Sequence, residues 1–365
     1  MLGIMGKNKN EKQNNEKNNE QTATKKNESF FTNQYTNISK GIALLLLLFQ
    51  HLGLNPELHL FSTSGIAYVI AEQCKVCVAI FLVLSGYGLN ASFNKKMKEK
   101  SYCFGIIKFS LKHLLKLMFN FWIIFGIFIC FGHFTGIRQI NSVYGSESLV
   151  KNLFIDFLGL ADLFKTPTYN ATWWFMSLII ILYIIFPILK TFLKKTPLVF
   201  ILIAFCINKF GLFKFYTNLN TYIFAFCLGM FLSEYFIFDK IKNMHVTKIQ
   251  EMFSAIIVLF IGLYTRYKLG GEFDTFAAFS IIFFGNSIVA NLGNIIRSVF
   301  RFLGKHSSNI FMMHTFIYKY FFNRIFCKFK ILVCNVCSFG NINFAYFSYY
   351  WTNQEKDIRR YGKNI

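Results

Sequence analysis

The sequence predicts an all-α membrane protein, a polytopic bundle of about ten transmembrane helices behind a disordered polar amino-terminal tail. Three observations lead there. The 365 residues are 54% hydrophobic, with 48 phenylalanines, and only 15% charged, against about 25% charged in a soluble domain. Apolar runs long enough to cross a bilayer recur along the chain. The alternation that marks a membrane β-barrel is missing, and a bilayer leaves the helix as the remaining way to satisfy backbone polar groups.

The elements follow in order. Residues 1–37 are rich in Asn, Lys and Glu and lack apolar periodicity, which reads as a disordered cytoplasmic tail. No apolar core follows a short basic start, so the segment does not read as a signal peptide. Residues 38–350 form the transmembrane domain, and 351–365 a basic carboxyl-terminal tail. The first span is Gly41 to about Leu54, and the second Gly65 to Leu89, interrupted at Glu72 and Lys75. A basic loop and an interfacial stretch with Lys108, Lys112 and Lys116 lead to a third span, Leu117 to Phe134. After a polar connection, Ile137 to Asn170, come Trp173 to Leu193, Leu198 to Phe213 and Tyr222 to Phe238. Met252 to Tyr267, Phe273 to Leu292, Asn309 to Phe322 and a weakly apolar Ile331 to Tyr350 complete the set.

The formal charge is +22. The lysines cluster between apolar runs, as the positive-inside rule requires, so no nucleic-acid partner is expected. With the amino terminus inside, the basic loops at 93–103, 190–197, 239–251 and 293–307 are all cytoplasmic. The acidic 137–170 connection, with Glu147, Asp156 and Asp162, then lies outside. The turn at Arg324, Lys328 and Lys330 is the exception to the rule. Two Cys-x-x-Cys pairs, Cys74/Cys77 and Cys334/Cys337, lie in or beside apolar runs. They read as packing cysteines, and no metal site is expected.

Four stretches carry candidate chemistry. In "KGIALLLLLFQH", Lys40 and His51 are eleven residues apart. That separation leaves their side chains within about 20° of each other on a helix, about 16 Å apart along its axis. A histidine at mid-membrane depth is a candidate proton carrier, or a hydrogen-bonding link between helices. In "VCVAIFLVLSGYGL", Ser85, Gly86, Tyr87 and Gly88 form either a close-packing motif or the seat of a nucleophile that needs a base beside it. In "NATWWFMS", the tandem Trp173 and Trp174 read as an interfacial belt or a stacking surface for a sugar. In "LGKHSSNIFMMH", a basic Gly-containing segment leads into a span with a second histidine, His314.

In this order and spacing the four stretches resemble the acyltransferase type 3 family of integral-membrane O-acyltransferases. The family's Arg-Gly-Ile-Ala…His opening matches with Lys40 in place of Arg, and its Ser-Gly-Tyr-Gly-Leu helix matches at Ser85 to Leu89. Its Trp-Phe-Leu-Ser…Tyr-x-x-x-Pro span matches at Trp174, Ser177, Tyr183 and Pro187. Leu303 to Ser307 with His314, and Gly229-Met230, match two further motifs. The departures are His113-Leu-Leu-Lys116 where a basic pair is usual, and a tenth span unlike the family's.

The resemblance implies transfer of an acyl group, most often acetyl, from cytosolic acyl-CoA to a hydroxyl of a cell-surface or exported polysaccharide. Acetyl-CoA is then a cosubstrate, and no cofactor is bound. It implies His51, Ser85 and His314 as catalytic candidates, and Lys40, Lys112 and Lys116 as cations for the donor's phosphates. Tyr87, Trp174 and Ser177 are implied on the acceptor side. A glycan transporter or flippase, and an inactive relative, are the competing readings. The location implied is the cell membrane.

Overall fold

A computed structural model describes residues 33–55, 61–63, 65–96, 102–244 and 247–321, and all regular structure among them is helical. The long elements are α1 (Asn33–Gly53), α2 (Ile66–Gln73), which runs through a 3-10 turn (Cys74–Val76) into α3 (Cys77–Lys96), and α4 (Tyr102–Phe134). Three short helices follow: α5 (Ile140–Tyr144), α6 (Leu149–Phe157) and α7 (Ala161–Phe164). Then come α8 (Trp174–Lys195), α9 (Pro197–Phe210), α10 (Thr217–Glu234) and α11 (Ile237–Met244). The last are α12 (Lys248–Leu269), α13 (Asp274–Ser287) and α14 (Asn294–Phe316), which ends in a π-helical turn (Ile317–Phe321).

Nine helical segments among the described residues therefore occupy the positions of the first nine expected spans. Five of them are long and apolar enough to cross a membrane: 66–96, 105–134, 171–195, 248–269 and 271–291. α1, with Lys40, Gln50 and His51 along it, is not one of the five.

Local chemistry explains the ends. Pro197 opens α9 at a position where its missing N–H is harmless, and Gly211 closes it at φ +61°. Thr247 and Gln250 exchange hydrogen bonds in a capping box at the start of α12. The interruption in the second span is the 3-10 turn, where Lys75 pairs with Glu72 at 2.7 Å.

Several boundaries differ from the sequence reading. α1 begins at Asn33, inside the stretch read as tail. Lys108, Lys112 and Lys116 belong to the same unbroken 33-residue helix as the third span. Arg297, Arg301 and Lys305 likewise lie inside α14. In both cases apolar residues recur at helical spacing through the basic segment, so the helix continues past the point where hydropathy averages fall. The 137–170 connection is partly helical, and residues 1–32, the tenth span and the 351–365 tail lie outside the described residues.

α3 is the central column. It packs on α10, α1 and α13, while α1 pairs with α14, α12 with α13, and α4 with α8 and α14. A Cβ on Gly86 would collide with the Phe226 carbonyl, and one on Gly229 with the Val83 carbonyl. The glycines of "SGYG" and "CLGM" are thus one reciprocal contact that brings α3 and α10 to backbone distance. Cys74 and Cys77 are buried free thiols.

Candidate active site

α1, α3, α4, α8 and α14 enclose a cavity of about 220 Å³. Its polar lining is Lys40, Ser85, Tyr183, Ser307 and Ser308, and its apolar walls include Phe81, Leu117, Phe175 and Phe311. Two local features shape it. First, α1 and α14 cross at glycines, where a Cβ on Gly41 would strike the Phe300 carbonyl and one on Gly304 the Asn37 carbonyl. Lys40 enters the cavity beside that crossing. Second, Pro187 in α8 has no N–H for the carbonyl of Tyr183 four residues earlier. Ser110 of α4 donates to that carbonyl instead. The Tyr-x-x-x-Pro motif so ties α8 to α4 and seats Tyr183, whose hydroxyl lies 3.5 Å from Ser85 Oγ.

From the crossing, α1 and α14 run in the same direction, and each carries a histidine ten residues beyond its glycine. The rise is then about 15 Å on both helices, and the two rings meet. The centroids of His51 and His314 are 4.8 Å apart, with Tyr318 6.3 and 6.2 Å from them. His314 is buried. Its Nδ1 lies 2.7 Å from the Phe311 carbonyl and 3.2 Å from that of Ile310. Carbonyls only accept, so Nδ1 is the protonated nitrogen in the neutral ring and Nε2 carries the lone pair. The Thr315 hydroxyl donates to Nε2 at 3.2 Å.

Phe311 belongs to both places. It lines the cavity, its ring is 4.7 Å from Phe175 and 5.7 Å from Phe81, and it also touches His314 at 5.9 Å.

The structure thus places Lys40 and Ser85 in the cavity lining and pairs His51 with His314 about 15 Å further along α1 and α14, with Phe311 between the two places. Ser85 has Tyr183, not a histidine, as its hydrogen-bond partner. The other expected residues lie elsewhere. Lys112 and Lys116 are exposed on α4, and Lys112 lines a surface groove with Ile107, Lys108, Leu111 and Leu115. Tyr87 is buried, its ring 6.1 Å from Phe238. Trp174 stacks on Tyr222 at 5.7 Å. Ser177 is buried and donates to the Gly159 carbonyl at 2.7 Å. Sequence reasoning passed over Phe311, which read as an ordinary span residue, and over Ser308; it quoted Ser307 only as the end of a family motif in a basic loop. It quoted Tyr183 only as part of a motif; its signal was the proline four residues on.

It also passed over two polar centres. Lys190, fully buried, pairs with Glu234 and donates to Asn90 and Asn94 at 2.7 and 2.8 Å. Outside the spans, Asp156 is buried and accepts from Tyr144 Oη at 2.7 Å, Thr168 Oγ1 at 2.9 Å and Tyr169 N at 2.7 Å. Burial pushes the Asp156 carboxyl above the usual carboxylate range, against the pull of its three donors. Burial likewise raises the neighbouring Tyr169 phenol to about 12.

Comparison with known proteins adds one finding. The Acyl_transf_3 family model, an acyltransferase domain, matches residues 33–333. No curated protein and no solved structure matches the chain significantly. The match spans every motif assembled around the cavity and the histidine pair, and five helices among the described residues are long and apolar enough for a bilayer: the chain belongs to the acyltransferase type 3 family.

Proposed function

We propose that this chain is a membrane-embedded O-acyltransferase that moves an acyl group, by preference acetyl, from cytosolic acyl-CoA to a hydroxyl of a cell-surface or exported polysaccharide. The carrying observation is the imidazole pair, His51 and His314, set directly behind the wall of a cavity with Lys40 in its lining. The reading places the amino terminus and the Lys40 end in the cytoplasm, and the cell membrane as the site of action.

In this reading Lys40 binds a donor phosphate as a point charge, without the two-pronged grip of an arginine. Lys112 and Lys116 raise the local donor concentration from the surface of α4 rather than touching it in the cavity. The thioester reaches the cavity wall at Phe311. His51 takes the proton of the acceptor hydroxyl as its oxygen attacks the thioester carbonyl carbon. The carbon–sulfur bond breaks, and the departing thiolate takes that proton back from the imidazolium, giving the acyl ester and CoA. Ser85 and Tyr183 are hydroxyl donors for the carbonyl oxygen as it gains charge. His314, tied at Nδ1 to the Phe311 carbonyl and at Nε2 to Thr315, packs against the second imidazole and holds its orientation. Tyr87, Trp174 and Ser177 serve the packing around the site.

The test is reconstitution in lipid with labelled acetyl-CoA and an envelope glycan fraction. Labelled glycan is expected. His51→Ala should lower the rate by about 10²–10⁴-fold, the usual range for a lost general base, and Lys40→Ala should raise the donor KM with less effect on kcat. Wild-type protein that transfers no label to any acceptor refutes the reading, and His51→Ala at the wild-type rate refutes the assignment of the base.

A further inference from the structure

We propose that Asn170 and Trp173 are positioning residues for His314, acting through the backbone carbonyl of Met312. The kinetic part of this inference rests on the acyltransferase reading above; the structural part does not.

Met312 lies two residues before His314. Its carbonyl accepts from Asn170 Nδ2 at 3.1 Å and from Trp173 Nε1 at 3.0 Å. Both donors are buried, at 0% and 3% exposure, and neither is free to turn away. Asn170 Oδ1 accepts from the backbone N–H and hydroxyl of Thr172, at 3.3 and 3.2 Å, which fixes the amide's direction. The Trp173 ring is held edge-on by Phe121 at 5.1 Å and tilted by Phe125 at 5.3 Å.

The consequence falls on a single helical turn. The carbonyls of Ile310 and Phe311 hold His314 Nδ1, and the next carbonyl, that of Met312, is held by the clamp. Four residues later α14 gives way to the π-helical turn Ile317–Phe321. Bonds of this kind draw a carbonyl outward from the helix axis. With Met312 drawn toward Asn170 and Trp173, the adjoining Phe311 carbonyl is set where it receives the Nδ1 proton. The imidazole is then fixed in one tautomer, with Nε2 as the basic nitrogen. Release of Met312 lets the turn rewind, loosens the Nδ1 bond and allows the other tautomer.

The "NATWW" stretch therefore does more than mark an interface. The clamp also has a foundation, since Asp156 holds the backbone N–H of Tyr169, immediately before Asn170.

The test compares wild type with Trp173→Phe, which keeps an aromatic ring and removes the indole N–H, and with Asn170→Ala. Protein labelled with [15N]histidine is examined in lipid by solid-state NMR, the His314 signals being assigned by their absence from His314→Asn. Wild type should show a single Nδ1–H tautomer at His314, and both variants a mixture. In the transferase assay each variant should lose about tenfold in kcat, as expected for a misplaced catalytic group. The donor KM should stay within about twofold, and the pH profile should be shifted. An unchanged tautomer pattern in both variants overturns the proposal. So does a loss of rate that only follows the loss of folded protein, because that marks a structural tie alone. If wild type itself transfers nothing, the transferase reading fails, and the NMR comparison still decides whether the clamp orients His314.

Discussion

Asp156 offers a sharp separation of charge from hydrogen bonding. Tyr144 Oη and Tyr169 N both donate to Oδ2, and Thr168 Oγ1 to Oδ1, inside a site that is 1% exposed. Asp156→Asn can place its carbonyl oxygen at the Oδ2 position and keep both of those donors. Its amide then faces Thr168, whose hydroxyl has a second acceptor in the Asn170 carbonyl at 3.2 Å and can receive from the amide. Asp156→Ala instead orphans Tyr144 Oη and Tyr169 N–H. Each orphaned buried donor costs about 1–3 kcal/mol, and removal of a desolvated charge gives part of that back. The expected loss is about 2–4 kcal/mol for Ala and close to nothing, or a gain, for Asn.

The pH dependence has a definite sign. The folded-state pKa of Asp156 is raised, with burial the largest cause. The group's contribution to stability is therefore full below the unfolded pKa, near 4, and is lost as pH rises through the folded value. Asp156→Asn removes that loss, so its advantage over wild type should grow as pH rises from about 4. Thermal unfolding in detergent between pH 4 and 8 measures both effects. An Asn variant as unstable as the Ala variant, or an advantage that shrinks with rising pH, would refute the reasoning.

Other predictions follow from the packing. Gly86→Leu should abolish folded protein in a fluorescence size-exclusion assay, since even its Cβ meets the Phe226 carbonyl; Gly88→Leu, with open space at its Cβ, should be tolerated. Glu234→Leu should destabilise by about 3–5 kcal/mol, because it strands the buried Lys190 ammonium, and adding Lys190→Met should recover most of that. A single variant no worse than the pair would show that the ion pair is not a coupled unit. Ser110→Ala should cost about 1–2 kcal/mol by leaving the Tyr183 carbonyl without the donor that Pro187 cannot supply; an unchanged melting temperature would count against that account.

The helical character, the order of the first nine segments and the break at Glu72 and Lys75 were all legible in hydropathy and charge. So were Lys40 and His51 as residues of one helix face. The ends of α4 and α14 were not, because averaged hydropathy drops at Lys108 to Lys116 and at Arg297 to Lys305 although helical periodicity continues. The partition of the candidate residues was also hidden. Lys112 and Lys116 carry the right charge, but α4 turns them away from the cavity that Leu117 lines.

By itself the sequence determined what depends on neighbours along the chain: span, face, and the capacity of an imidazole or a lysine to do chemistry. It even held one regularity that bears on the site, a histidine ten residues after the glycine in both "KGIALLLLLFQH" and "LGKHSSNIFMMH". Only the tertiary structure decided that these two segments cross at those glycines and run the same way, which turns equal spacing into contact across 263 positions. The same holds for Ser110 and the Tyr183 carbonyl, and for Trp173 and the Met312 carbonyl. Backbone carbonyls are identical in every residue and leave no trace in a sequence. Which side chain comes to serve them is settled by packing.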